Sequence, residues 1–394
     1  MMPENRLATG PGPDINSTLA LVSMVFLAVV GPQAVVVQPA FVEGLVSQLG
    51  FSPVQAGYVS AAENTGKAVM SIAMMFLVTR VNWRHLFYVA LFLLIGVNLF
   101  CTVFQSYHAY LAARAVSGLA NGIIIPLCYV VIGLTARSER NFGIMMVFVL
   151  LYSAGIYLVV PTLFQLGGFN GLLLLFAVFA LLALPLVRNL PVAGEPEKQA
   201  GGAGSGLSWT LRAMAIAAMF FFFLAMFSLF PYLSLIGSST GIATQTIANA
   251  MTVAQFSGMG GAFLVVVISD RFGRALPIAA ALSLIILSIA VLGYFPTVAG
   301  YTIAVCLFMG LWSFVHPFIL AAQARFDRSG RQVAYATALQ MIGIASGPAI
   351  AATILSVGAY DHIMLVAVLF LLVTLACILP PVLRHATLER PLQD

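Results

Sequence analysis

Long apolar stretches alternate along the chain with brief polar or Gly/Pro-rich breaks. Apolar runs fall near 18–42, 52–78, 85–104, 109–135, 142–165 and 170–188, and again near 210–236, 245–268, 275–295, 299–322, 333–357 and 362–382. A helix crossing the hydrocarbon core of a bilayer needs about 20 apolar residues. The pattern therefore predicts an all-α membrane protein with twelve transmembrane helices. Between the two sets of six lies the one long polar stretch, 190–208, whose Gly, Ser, Glu and Pro content predicts a flexible linker. The expected organisation is a six-helix bundle over 1–189, a linker over 190–208 and a second six-helix bundle over 209–394.

Composition supports the membrane reading. Of 394 residues, 61% are hydrophobic and 7% charged, against about 25% charged in an ordinary soluble domain. A soluble enzyme, a disordered regulator and a secreted disulfide scaffold are excluded. Cys101, Cys128, Cys306 and Cys377 stand far apart in apolar runs, with no C-x-x-C pair, which predicts apolar packing and no metal site. The first 17 residues are polar and no cleavage site follows an apolar core, so the first run reads as a retained span. The linker is Gly-rich but lacks a G-K-[ST] ending, so it is no phosphate loop, and nothing else in the chain is suited to ATP.

The net charge of +5 would suggest nucleic acid in a soluble protein. Here the positive charges follow topology instead, and no nucleic-acid partner is expected. Arg6, Arg80, Arg84, Arg137, Arg140, Arg188, Lys198, Arg212, Arg271, Arg274, Arg325, Arg328, Arg331, Arg384 and Arg390 all fall on one side of the twelve-span map. The opposite loops hold no Lys or Arg, only Glu43, His108, Asp361 and His362. The excess of positive charge in cytoplasmic loops then places both termini in the cytoplasm, in a cell membrane expected to be a bacterial inner membrane.

The halves also repeat. Ala136-Arg137, Glu139 and Arg140 recur 188 residues later as Ala324-Arg325, Asp327 and Arg328, and Gly155 recurs as Gly343. Arg80 meets Arg271, and Pro126 meets Pro317, at an offset of 191. A six-span repeat in one orientation predicts two bundles related by an axis along the membrane normal, with a site at their interface.

Three motifs carry a family resemblance. The loop Ser269–Arg274 reads S-D-R-F-G-R, span four reads R-A-V-S-G-L-A-N-G over Arg114–Gly122, and span eleven carries G-I-A-S-G-P over Gly343–Pro348. With these the chain resembles the major facilitator superfamily along its whole length. The resemblance implies a monomeric secondary transporter that works by alternating access, with Asp270, Arg271 and Arg274 as a cytoplasmic latch. Some positions depart from the family pattern. Thr79 and Asn82 replace the Asp and Gly of the first-half loop, Gly155 and Pro161 leave the fifth-span antiporter motif incomplete, and the first span offers Gln33 and Gln38 where many drug antiporters carry an acid. These departures weigh against a multidrug antiporter.

An ionisable side chain near mid-bilayer costs about 2.5–3.5 kcal/mol and is functional by default. Glu63 and Lys67 in span two and Arg114 in span four are the candidates. Glu63 and Lys67 stand four apart on one helical face and are able to pair. They form either a self-neutralised packing pair or a proton-coupling device in which Lys67 or Arg114 alternates between Glu63 and substrate. Their repeat positions, near Ala254, Gly258 and Val305, are uncharged, which favours function. Arg114 serves either binding or, as in the resembled family, support of coupling. Asn121 follows it seven residues on along one face, with Gly118 between them permitting close helix approach.

The trio carries one net positive charge, which suits an organic anion. Further substrate-contact candidates are Gln33, Gln38, Tyr152, Gln255, Trp312, His316 and Gln340; the imidazole of His316 is weighed against simple hydrogen-bonded packing. The run Phe220 to Phe223 reads as lipid or helix contact rather than a substrate cage. The expectation is a proton-coupled secondary transporter of a small organic carboxylate, by symport, needing no cofactor beyond the proton gradient. The alternatives are proton antiport of lipophilic or cationic drugs, a non-transporting sensor of the same fold, and a lipid-moving protein.

Overall fold

The computed structural model describes residues 14–78, 80–192, 207–268, 273–326 and 331–389, and helix dominates throughout. The predicted linker is described only at its edges. Asp270 and Arg271 of the predicted latch, with Thr79 and Lys198, lie outside the described residues.

The first predicted span is built from three pieces: α1 (Thr18–Val30), α2 (Gln33–Val36) and α3 (Gln38–Leu49). Pro32 and Pro39 interrupt the ladder, because proline supplies no N–H and crowds the carbonyl four residues back. The helical path runs seven residues beyond the apolar run at 18–42. Glu43, expected in a loop, therefore sits inside α3 and is buried. Gly50 ends α3 in a left-handed conformation (φ 70°), so the helix runs past Glu43 and Gly44 to that turn.

Next come α4 (Pro53–Leu77), α5 (Trp83–Val103) and α6 (Tyr107–Gly133). Ser52 and Gln55 form a reciprocal capping box at the start of α4, and Asn82 and Ser106 cap α5 and α6. Helix α7 (Ser138–Ala183) is two spans joined without a loop. Gly168 breaks it with φ 58° and ψ −154°, a conformation open to glycine alone. The break falls within the predicted gap between the fifth and sixth runs. A 3-10 turn over Leu184–Asn189 ends the first half.

The second half opens with α8 (Trp209–Leu229), which passes through a 3-10 turn at Phe230–Tyr232 into α9 (Leu233–Ser239). Then follow α10 (Thr244–Ile268), α11 (Ala275–Tyr294), α12 (Val298–Phe326), α13 (Arg331–Leu355) and α14 (Tyr360–Glu389). Among the described residues, nine helices are long and apolar enough to cross a membrane. One of them, Arg140–Asn189, is long enough to cross twice around Gly168. The interrupted first span and α4, whose Glu63 and Lys67 lower its apolarity, complete twelve segments.

In the first half α6 packs on α4 and α5, and α7 on α1 and α5; in the second, α12 packs on α10 and α11, and α8 on α13 and α14. Across the halves, α4 lies against α13, α7 against α10, and α3 against α9. One end of the molecule is rich in arginine, with Arg84 bonded to the Leu190 carbonyl and Arg274 to that of Ala321. Toward the other end the halves are sealed. Tyr58 and Thr353 share a hydrogen bond of 2.9 Å, Ser238 donates to Glu43 at 3.0 Å, and Thr252 donates to the Ala154 carbonyl at 3.3 Å. Tyr232 and Ala352 close over Gly57, where any Cβ would collide with both.

Candidate functional site

Helices α4 and α6 approach through glycine. A Cβ on Gly66 would strike the Ala115 carbonyl, one on Gly118 the Glu63 carbonyl, and one on Gly122 the Lys67 carbonyl. Small residues at such spacing let two backbones close up in a membrane. The close approach delivers Glu63 of α4 directly onto Arg114 of α6.

The pair is buried, with both side chains almost fully excluded from solvent. Arg114 donates from Nη2 to Glu63 Oε1 at 2.7 Å and from Nε to Oε2 at 3.1 Å, a two-point geometry that carries both charge and orientation. Ser117 and Asn121 each donate to Oε1 at 3.1 Å. The remaining arm of the guanidinium donates to Asn98 Oδ1 at 3.1 Å, and Asn98 in turn donates to the Leu94 carbonyl. Phe41 of α3 lies under the guanidinium at 4.8 Å from its ring centroid. Both oxygens of Glu63 are therefore occupied.

Of the two partners the sequence left open for Glu63, the structure pairs it with Arg114 and not with Lys67. Spacing of four along a helix makes an ion pair possible, but Arg114 across the α4–α6 contact supplies two donors and wins the carboxylate. The Lys67 ammonium instead lies 5.7 Å from the ring centroid of Phe227 on α8, in the opposite half. It is buried and forms no ion pair with Glu63.

Lys67 belongs to a stripe on α4. Gly57, Ser60, Asn64 and Lys67 recur at spacings of three and four, which places them on one helical face. Gly57 touches Tyr232 and Lys67 touches Phe227, so the stripe faces the second half. Between them, the Ser60 hydroxyl and both polar atoms of the Asn64 amide are buried without a hydrogen-bond partner. Buried polar groups are ordinarily paired; here a run of unsatisfied donors and acceptors lies beside a cation.

Opposite the stripe stands an aromatic wall. The Trp312 ring packs against Phe227 and Phe230 with centroids at 5.6 and 5.5 Å, and against Phe223 and Phe308 at 6.3 Å each. His316 meets Phe223 edge-on at 4.9 Å, leaves Nε2 buried and unpartnered, and has Gln340 in hydrogen-bonding reach. Phe222 and Phe223 are buried. The Phe220–Phe223 run is thus divided, its buried members turned to the interior and Phe223 into the wall.

The other candidates lie apart from this centre or edge it. Gln33 donates to the Phe176 carbonyl at 3.2 Å within the first half, leaving Oε1 unpartnered, as is Oε1 of buried Gln38. Tyr152 packs on Phe179 at 5.4 Å with its hydroxyl unpartnered, and Gln255 of α10 buries an unpartnered Nε2. Sequence reading passed over Asn98, Ser117, Ser60 and Asn64. The signal for Asn98 and Asn64 was an amide inside an apolar run, and for Ser60 its register with Lys67. Among the described residues no cluster of His, Cys, Asp or Glu is fit to hold a metal ion, and all four cysteines are free thiols.

Comparison with known proteins agrees with this architecture. A family model described as Major Facilitator Superfamily matches residues 19–348. No curated sequence relative matches. Among solved structures, a point mutant of the nucleoside transporter NupG superposes with a TM-score of 0.74 at 13% identity, covering 93% of this chain and 100% of its own. A D-xylose-proton symporter gives 0.72 at 13% identity, covering 93% of this chain and 96% of its own. A bacterial homologue of the human lysosomal transporter Spinster, in an inward-facing and unoccupied conformation, gives 0.65 at 13% identity, with 97% and 98% covered.

Proposed function

The chain belongs to the major facilitator superfamily, a family of membrane transporters, and from that premise we propose that it carries a small organic anion across the membrane, coupled to protons, by alternating access. The observation that supports the anion is Lys67. Arg114 holds both oxygens of Glu63, so the ammonium of Lys67 faces the second half with a π-face but no ion pair of its own. A buried cation that lacks a direct ion pair is costly, and a substrate carboxylate relieves that cost. The aromatic wall around Trp312 suits an apolar body on the same solute, which rests against the rings while its carboxylate reaches Lys67 and the Asn64 amide.

Glu63 and Arg114 supply the coupling in this reading. Protonation of Glu63 weakens the two-point ion pair and releases a second cation next to Lys67. Anion and proton then load together, which is symport. The arginine-rich end is the cytoplasmic one, following the preference of Lys and Arg for that side, and the sealed end faces outward. In the cation-antiport alternative Glu63 must receive the substrate, yet its oxygens already accept four hydrogen bonds.

The test is anion uptake into vesicles reconstituted with the purified protein, with and without an inward proton gradient. The proposal expects uptake of aromatic or aliphatic monocarboxylates to follow the gradient in the wild type. Glu63→Gln should still exchange anion for anion but no longer accumulate it. Gradient-driven accumulation undiminished in Glu63→Gln would remove the carboxylate from the coupling role.

A further inference from the structure

Glu43 is a second buried carboxylate, remote in sequence from the Glu63 network and placed on the seam itself. It belongs to α3 of the first half and accepts a hydrogen bond at 3.0 Å from Ser238 of α9 in the second half. Ser234, one turn earlier on α9, lies within reach of it. Tyr157 of α7 and Tyr301 of α12 lie within its electrostatic reach. The Tyr301 hydroxyl is committed to the Leu233 carbonyl at 3.2 Å, while the Tyr157 hydroxyl is buried without a partner. Four helices from both halves thus converge on one acid.

The remaining elements packed on α3 present no cation to it. From the 3-10 turn, Tyr232 points at Gly57; from α4, Tyr58 is bonded to Thr353, Glu63 to Arg114, and Lys67 lies on Phe227. The sequence holds no Lys or Arg over 7–66, 141–187, 213–270 or 275–324. Among the described residues, the polar groups shown at Glu43 in the closed seam are hydroxyls. Desolvation without a counter-charge favours the neutral carboxyl over the carboxylate. With the seam open, the same group meets water and ionises.

We propose that Glu43 is a proton-binding gate residue, protonated as the halves seal at the arginine-poor end and deprotonated as they part. Closure at that end is then linked to one proton independently of any substrate, so the reading goes beyond the anion site and stands or falls without it. A single linked proton changes the closed-to-open ratio by up to about tenfold per pH unit.

The test is a distance measurement across the seam by spin labels, in protein without added substrate. The labels go on Gln48→Cys and Thr240→Cys, both exposed on opposite sides of the seam, with Cys101, Cys128, Cys306 and Cys377 replaced. As pH falls from about 8 to about 5, a range around carboxyl and histidine titration, the otherwise wild-type protein should gain the short-distance population. Glu43→Gln, neutral at every pH, should show that population throughout, whereas Asp361→Asn, which neutralises an exposed acid at the same end, should keep the wild-type shift. A distance that does not change with pH overturns the proposal without recourse to any variant of Glu43. So does a wild-type shift retained by Glu43→Gln, or one abolished equally by Asp361→Asn.

Discussion

Arg114 holds Glu63 at two points, 2.7 and 3.1 Å, and so deprives Lys67 of the carboxylate one helical turn away. The two cations thereby acquire different work. Arg114 is neutralised and locked between α4, α5 and α6, with Phe41 of α3 beneath it; Lys67 is left as the charge presented to the other half of the molecule. Breaking a buried ion pair on one side costs about 3–5 kcal/mol, because the abandoned charge remains buried. Arg114→Met should therefore destabilise the protein by about that amount, while the double change Arg114→Met with Glu63→Gln should regain most of it. Thermal unfolding in detergent for the four members of that cycle measures the coupling.

Lys67→Met should behave in the opposite way. Removing an unpaired buried ammonium leaves the fold at least as stable, and it removes one charge-assisted contact to the anion, worth about 1.5–3 kcal/mol. Affinity should fall by about 10-fold or more. Phe227→Leu, which loses only the ring face, should cost about 0.5–1 kcal/mol of that affinity. Calorimetric titration of both variants with one carboxylate separates the two contributions.

Sequence patterning reached the architecture but left the partner of Glu63 open between Lys67 and Arg114. The twelve segments, the gap at 166–169 and the repeat all follow from apolar length and from Gly and Pro placement, which are local properties. What decided the partner of Glu63 was a contact between helices, set by Gly66, Gly118 and Gly122 together. A spacing of four on one helix carries no information about a guanidinium 51 residues away. Glu43 was misplaced for a related reason. Its helix ends where Gly50 can adopt a positive φ, not where the apolar run ends. The expected latch residues Asp270 and Arg271 lie outside the described residues.

Glycine at the α4–α6 contact is a steric requirement that can be isolated. A Cβ at Gly118 meets the Glu63 carbonyl, whereas one at Gly96 meets nothing within 4 Å. Gly118→Ala should cost about 1–3 kcal/mol, the usual cost of overpacking, and should loosen the Glu63–Arg114 geometry along with it. Gly96→Ala should be neutral or slightly stabilising, since alanine favours helix. Unfolding temperatures of the two variants, side by side, check the contrast.

Gln255 buries an amide nitrogen without a partner, a group whose desolvation costs about 1–3 kcal/mol in the empty protein. Gln255→Leu should unfold no earlier than the wild type and bind substrate more weakly. Equal losses of stability and of affinity would instead mark the amide as packing.

The account turns on Lys67 as the anion anchor, and ligand-induced thermal stabilisation tests it most directly. Purified protein in detergent is heated with a panel of aromatic and aliphatic carboxylates, lipophilic cations and neutral sugars, as wild type and as Lys67→Met. A ligand at about one hundred times its dissociation constant adds about 2.7 kcal/mol, enough to shift an unfolding midpoint measurably. The account predicts stabilisation by carboxylates in the wild type and its loss in Lys67→Met. Carboxylate stabilisation undiminished in Lys67→Met, or stabilisation by the cations alone, would contradict it.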